Sequence, residues 1–130
     1  MDAIERFGSG GPWEERFGYC RAVRAGDLLF VSGTTAVDED GVVHGVGDPA
    51  AQTAYVLDRI EAALGRAGAR IDEVVRTRVY VTDASRAEEV GRVHGERFGE
   101  HPPASSMVEV AALLDARMLV EIEAVAYVGP

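Results

Sequence analysis

The 130-residue chain carries one cysteine, Cys20, so no disulfide can close within it. It also lacks any Cys/His spacing of the zinc-binding kind, and no metal and no cofactor is expected. A lone thiol suits a reducing compartment, so the expected location is cytoplasmic. No apolar run approaches the about 20 residues that a membrane-spanning helix needs. The opening stretch, "MDAIERFGSGGPWEERFG", has charges where a secretory leader has an apolar segment, and no membrane partner is expected. Positive charge is scarce: 13 Lys and Arg stand against 22 Asp and Glu, a net charge of −9. Such a surface repels phosphate on average, so no nucleic-acid partner is expected. The three histidines, His44, His94 and His101, lie apart in a loop, on a helix and beside prolines, with no local carboxylate or thiol to complete a dyad.

What is present is a normal globular composition, 47% hydrophobic and 27% charged, at a length that fits one domain over residues 1–130. Residues 1–17, with Trp13 as an aromatic anchor, read as an arm lying on that domain. Two apolar runs, "YCRAVRA" and "LLFVSGTT", flank Gly26-Asp27 and predict a hairpin. The Gly- and Asp-rich loop that follows admits a brief strand at Val42-Val43. Asp48 and Pro49 predict a helix start, with the helix running to about Arg66 and Gly68 capping it. Its inward stripe is Thr53, Val56, Leu57, Ile60, Ala63 and Leu64. "EVVRTRVYVTD" alternates as a strand, with Val75, Thr77, Val79 and Val81 on one face and Arg76, Arg78 and Tyr80 on the other. A second helix starts near Ser85, whose spacing to Glu88 fits a capping box, and stops before "GEHPP". "SSMVEVAAL" and "MLVEIEAVAYV" are further strands.

The order β-β-α-β-α-β-β predicts a two-layer α+β domain with both helices on one sheet face. The other face then carries Arg76, Arg78, Tyr80, Met107, Glu109, Leu119, Glu121, Glu123, Val125 and Tyr127. Burial of that mixed face in an oligomer is the favoured reading, with ion pairs from Arg76 or Arg78 to Glu109, Glu121 or Glu123. A wet antiparallel face with cross-strand pairs is the alternative. Glu121 and Glu123 point to the same side of one strand. Either is a candidate general acid or base if partly buried, or an ion-pair partner of Arg76 and Arg78. Ser32-Gly33 after a strand, and Ser105-Ser106 after Pro102-Pro103, are candidate binding positions or simple turn chemistry. Without an adjacent histidine these serines are poor nucleophiles.

Together, "GYCRAV", "LLFVSGTT", "AQTAYVLDRIEAALGRAGA", "VVRTRVYVTD", "FGEHPPASSMVEVA" and "LVEIEAVA" resemble the RidA family, also called YjgF or L-PSP endoribonuclease-like proteins. The resemblance covers Tyr19 to Tyr127. It implies a chorismate-mutase-like fold with a mixed sheet, assembled as a homotrimer with small-molecule clefts between subunits. Members of the family hydrolyse reactive enamines and imines such as 2-aminoacrylate, with an arginine in a "PAR" motif holding the substrate carboxylate. Here Ser105 occupies that position. The resemblance further implies that Tyr19, Ser32, Gly33, Ser105 and Met107 line the cleft, with Met107 where some members have cysteine. Glu121 matches the glutamate that positions water.

Loss of a bidentate ionic contact costs about 2–5 kcal/mol for a carboxylate ligand unless another cation compensates. Arg76, Arg78 and Arg117 are the candidate replacements, and the arm with Trp13 is a candidate cover for the cleft. The expected function is hydrolysis of an enamine, imine or related small metabolite with an altered substrate preference. The alternative is a non-catalytic trimeric binding or regulatory protein, and ribonuclease or translation-inhibitor activity ranks below both because of the negative charge.

Overall fold

The computed structural model describes residues 3–130, and its elements begin and end close to the turn and cap residues named above. In chain order they are β1 (Ile4–Phe7), α1 (Pro12–Phe17), β2 (Ala22–Ala25), β3 (Leu28–Thr34), α2 (Pro49–Arg66), β4 (Val74–Val81), α3 (Ala87–Phe98), β5 (Ala104–Glu109) and β6 (Val120–Tyr127). The six strands form one sheet in the order β1-β2-β3-β6-β4-β5. Only β4 and β5 are parallel, so the sheet is mixed, and α3 supplies the crossover that a parallel pair requires. Both long helices pack on one face, as the two-layer reading expects. No helix among the described residues is long and apolar enough to cross a membrane.

The stretch 1–17 contains more regular structure than an arm. β1 extends the sheet by pairing with β2, and Pro12 starts the short helix α1, which ends at Gly18 with φ +72°. Residues 1–2 of that stretch lie outside the described residues. Gly26, at φ +61°, makes the two-residue turn between β2 and β3. Val43 contributes only an isolated bridge to Val37 instead of a strand.

α2 opens as its sequence predicts, with the Asp48 carboxylate accepting from the Ala51 amide at 3.0 Å. All six residues of its inward stripe are buried. The helix is capped by Ala67, and Gly68 takes the left-handed turn one residue later. At α3 the expected capping box does not form. Asp83 accepts from both the amide and the hydroxyl of Ser85, which engages Ser85 in a 3-10 turn over Ala84–Arg86, and α3 follows from Ala87.

Two face assignments are corrected by register. Between Val74 and Arg76 the β4–β6 pairing slips, so Val74 enters the core and Val75 is exposed, whereas Thr77, Val79 and Val81 stay inward as expected. On β5, Met107 pairs beside Val79 and Glu109 beside Val81, which puts both on the helix-facing side. The open face instead receives Ser106 and Val108. Parallel pairing to β4, rather than alternation alone, decides this phase.

The core between sheet and helices is built from Leu29, Leu57, Ile60, Leu64, Val79 and Ile122 with their neighbours. Each large side chain buried there contributes about 1.5–3 kcal/mol of transfer free energy. A buried amide crosses this core boundary: Gln52 Nε2 donates to the Arg117 carbonyl at 2.7 Å, and Gln52 Oε1 accepts from the Leu119 amide at 2.8 Å. Gln52 thereby ties α2 to the residues that lead into β6. Gln52→Leu leaves both backbone groups without a partner and is expected to cost about 1–3 kcal/mol in chemical denaturation.

Candidate functional site

β3 and β6 lie side by side, and their register breaks between Val31 and Thr34, where Ser32 and Gly33 sit. A Cβ built on Gly33 would lie 2.6 Å from Glu121 Oε2, closer than real side chains approach. Glycine is therefore what lets the Glu121 carboxylate rest against the backbone at this point. Two hydrogen bonds hold that wall. Ser32 Oγ donates to the Cys20 carbonyl, and Arg21 Nη2 donates to the Gly33 carbonyl, each at 2.7 Å. Tyr19 follows the Gly18 turn, with its amide donating to the Glu14 carbonyl at 3.1 Å and its ring exposed.

Glu121 is half-buried. Burial, and then the negative charge of Glu123, raise its pKa above the ordinary carboxylate value, against a smaller opposing pull from Arg21. Glu123, two residues along the same face, has direct partners. It accepts from Tyr80 Oη at 2.5 Å and lies 3.9 Å from Arg78 Nη1. The two carboxylates, equivalent by alternation, thus divide: Glu123 makes the cross-strand contacts, and Glu121 is the one that burial holds above the ordinary carboxylate pKa.

Ser105 and Met107 do not join this group. Ser105 Oγ accepts from Thr77 Oγ1 at 2.8 Å, and Thr77 Oγ1 is also hydrogen-bonded to His94 Nε2 at 2.8 Å. Burial lowers the pKa of His94. Met107 packs against the core beneath α3. Both lie on the helix side of the edge strand β5, with β4 between them and β6. Within one chain the structure brings Ser32, Gly33 and Glu121 together, leaves Tyr19 exposed with its amide on Glu14, and leaves Ser105 and Met107 apart.

The candidate replacement arginines are engaged elsewhere. Arg117 is bound by Asp115 at 2.7 Å, Arg78 lies by Glu123, and Arg76 donates to Ser106 Oγ at 2.9 Å. The cation whose charge reaches Glu121 is Arg21, on the far side of Gly33, and spacing did not single it out. Its signal was an arginine next to Ala22 at the start of a hairpin strand, a position that the fold buries. Trp13 is exposed and stacks on Phe17, with Arg16 over both rings. A cavity of about 570 Å³ lies between α2 and α3 near Arg70 and Arg97, away from Glu121. Both arginines there are paired with carboxylates. Among the described residues no cluster of three or more His, Cys, Asp or Glu is placed to hold a metal.

The family model described as Endoribonuclease L-PSP matches residues 14–128. The chain belongs to this family, which is also the RidA/YjgF family. A Mycobacterium tuberculosis protein described as a member of the highly conserved YjgF/YER057c/UK114 family is 52% identical. That match covers 96% of this chain and 99% of that one, with a TM-score of 0.87. The Escherichia coli YjgF gene product is 32% identical with a TM-score of 0.77, over 94% of this chain and 92% of the other. A relative from Acinetobacter baylyi, named 3-aminoacrylate deaminase RutC, is 36% identical over 85% of this chain and 86% of its own length. The mixed sheet with helices on one face is the RidA/YjgF architecture.

A carboxyl whose folded pKa is raised stabilises the fold only below its unfolded pKa, and that contribution is lost as pH rises through the folded value. Glu121→Gln is therefore expected to melt above the wild type near neutral pH, with the gap closing as both are acidified. Parallel thermal melts across that range check it. A constant gap would show that Glu121 carries no raised pKa.

Proposed function

We propose that this RidA-family protein hydrolyses a reactive imine or enamine of small size, with Glu121 positioning and activating the water. The half-buried Glu121 carboxyl against Gly33 carries this reading, because burial raises its pKa and makes its carboxylate a stronger base than an ordinary one. Glu121 takes a proton from water as the oxygen adds to the imine carbon. The nitrogen is protonated and leaves as ammonia, and a carbonyl compound remains. An enamine enters the same path after protonation at carbon gives its imine. The RutC relative's name, a deaminase of 3-aminoacrylate, supports this reaction class.

The working unit in this reading is a homotrimer in the cytoplasm, with Tyr19, Ser32, Gly33 and Glu121 of one subunit facing Ser105 of the next, whose Met107 backs the strand from beneath α3. The uncovered sheet face supports an assembly, since Ile4, Leu28, Phe30, Val108 and Tyr127 are exposed there. The separation of Ser105 and Met107 from Glu121 within one chain supports a cleft completed by a second copy. Ser105 offers a hydroxyl where a carboxylate clamp would stand, so the preferred substrate is neutral or weakly charged at that end. The same substitution favours a second reading, a protein that binds such a ligand without chemistry. The net charge of −9 speaks against RNA as the substrate.

Glu121→Gln is expected to lower kcat/KM for imine hydrolysis by about 10²-fold or more with the assembly unchanged in light scattering. Ser105→Arg is expected to shift preference toward freshly generated 2-aminoacrylate over neutral imines. If wild-type protein leaves both substrates untouched but is thermally stabilised by a ligand recovered intact, the binding reading replaces the enzymatic one.

A further inference from the structure

We propose that the cavity between α2 and the loop at residues 37–47 is a second binding site, which takes a small oxyanion, a carboxylate or phosphate, on Arg21, Arg59 and Arg66. The cavity holds about 320 Å³. Arg21, Arg59, Arg66 and Tyr55 stand in its wall, and Asp38, Glu39 and Asp40 line it from the loop. Arg59 also donates to the Thr35 carbonyl at 2.9 Å. Glu121, Gly33 and Tyr19 do not line it, so it is separate from the site above and lies behind the Gly33 wall.

Arg21 is the decisive residue. It is only 7% exposed, and its Nε is buried without a hydrogen-bond partner. Its side-chain hydrogen bond, to the Gly33 carbonyl, goes to a neutral group. Among the described residues no carboxylate lies within ion-pair distance of Arg21, Arg59 or Arg66. Six other arginines of the chain do have such partners. The nearby acids are engaged: Glu14 accepts from the amide and hydroxyl of Ser9, and Asp38 accepts from His44 and from the amides of Asp40 and Val42. Glu39 and Asp40 lie exposed on the rim.

A guanidinium keeps its charge at any ordinary pH, so Arg21 is a buried cation with no ion pair, attracted only at longer range by Glu14 and Glu121. Burial and repulsion from Arg59 both disfavour its charged form. An oxyanion seated between the two arginines relieves both penalties, and guanidinium forks match carboxylate and phosphate geometry. Arg59 and Arg66 are seven residues apart on α2 and project to the same helix face, four residues beyond Tyr55 in the first case. Tyr55 is fixed by stacking on His44, with centroids 4.3 Å apart, and His44 is held by Asp38 at 2.8 Å. The cavity thus has a cationic side on α2 and a loop side whose inner acid, Asp38, is already held by His44 and two amides, with Glu39 and Asp40 open to solvent.

The test is calorimetric titration of the full chain with inorganic phosphate and, separately, malonate, each against chloride at matched ionic strength. Saturable binding of at least one is expected. Arg59→Gln should weaken it about tenfold, and the Arg59→Gln/Arg66→Gln double variant should abolish it without loss of the folded far-UV spectrum. Arg92→Gln, on α3, should bind as the wild type does. Phosphate binding alone would assign a phosphorylated ligand, and malonate binding alone a carboxylate. No saturable binding of either, or binding unchanged in the double variant, overturns the site. Glu121→Gln should retain anion binding, so this result is read independently of turnover.

Discussion

A sheet covered by helices on one face is the constraint on which the other features rest. It sorts every strand residue by phase: Val120, Ile122, Ala124 and Ala126 go under α2 and α3, and Glu121, Glu123, Val125 and Tyr127 go to the open side. Polar groups on the open side sit beside apolar ones without being sealed among them. Partial desolvation of this kind can tune a carboxyl without forcing it to stay neutral. A fully buried Glu121 would need a fixed partner, and a fully wet one would titrate as an ordinary carboxylate.

Glu121 and Glu123 show how neighbouring side chains separate two identical groups. Tyr80 and Arg78 supply Glu123 with a donor and a cation, while Glu121 meets the bare backbone of Gly33. The glycine makes room and also places a carbonyl at the junction, because the Gly33 oxygen accepts from Arg21 on its far side. One residue without a side chain therefore sits between a carboxyl facing the open sheet and a guanidinium facing the α2 cavity.

Much of the fold was legible because its signals are local. Asp48-Pro49, the α2 stripe and Gly26-Asp27 act within one turn of the chain, and each formed as its chemistry dictates. Misreadings arose where a partner strand or a competing acceptor decided. Val75 was displaced by the slip in β4–β6 pairing, Met107 was turned inward by its parallel register with Val79, and Ser85 was captured by Asp83. For the candidate site, Glu121, Ser32 and Gly33 were marked by alternation, a post-strand glycine and family resemblance. Arg21 was not, since its importance comes from Gly33, twelve residues away, and from Arg59 on another layer.

The strand order has a consequence for how the protein is made. β6 is the last strand along the chain yet lies between β3 and β4, so β1-β2-β3 and β4-β5 are separate sheet fragments until it arrives. A growing chain that has not yet produced β6 lacks Glu121 and much of the shared core as well. Synthesis of β6 and assembly of the candidate site are thereby coupled, and no partial product presents that site.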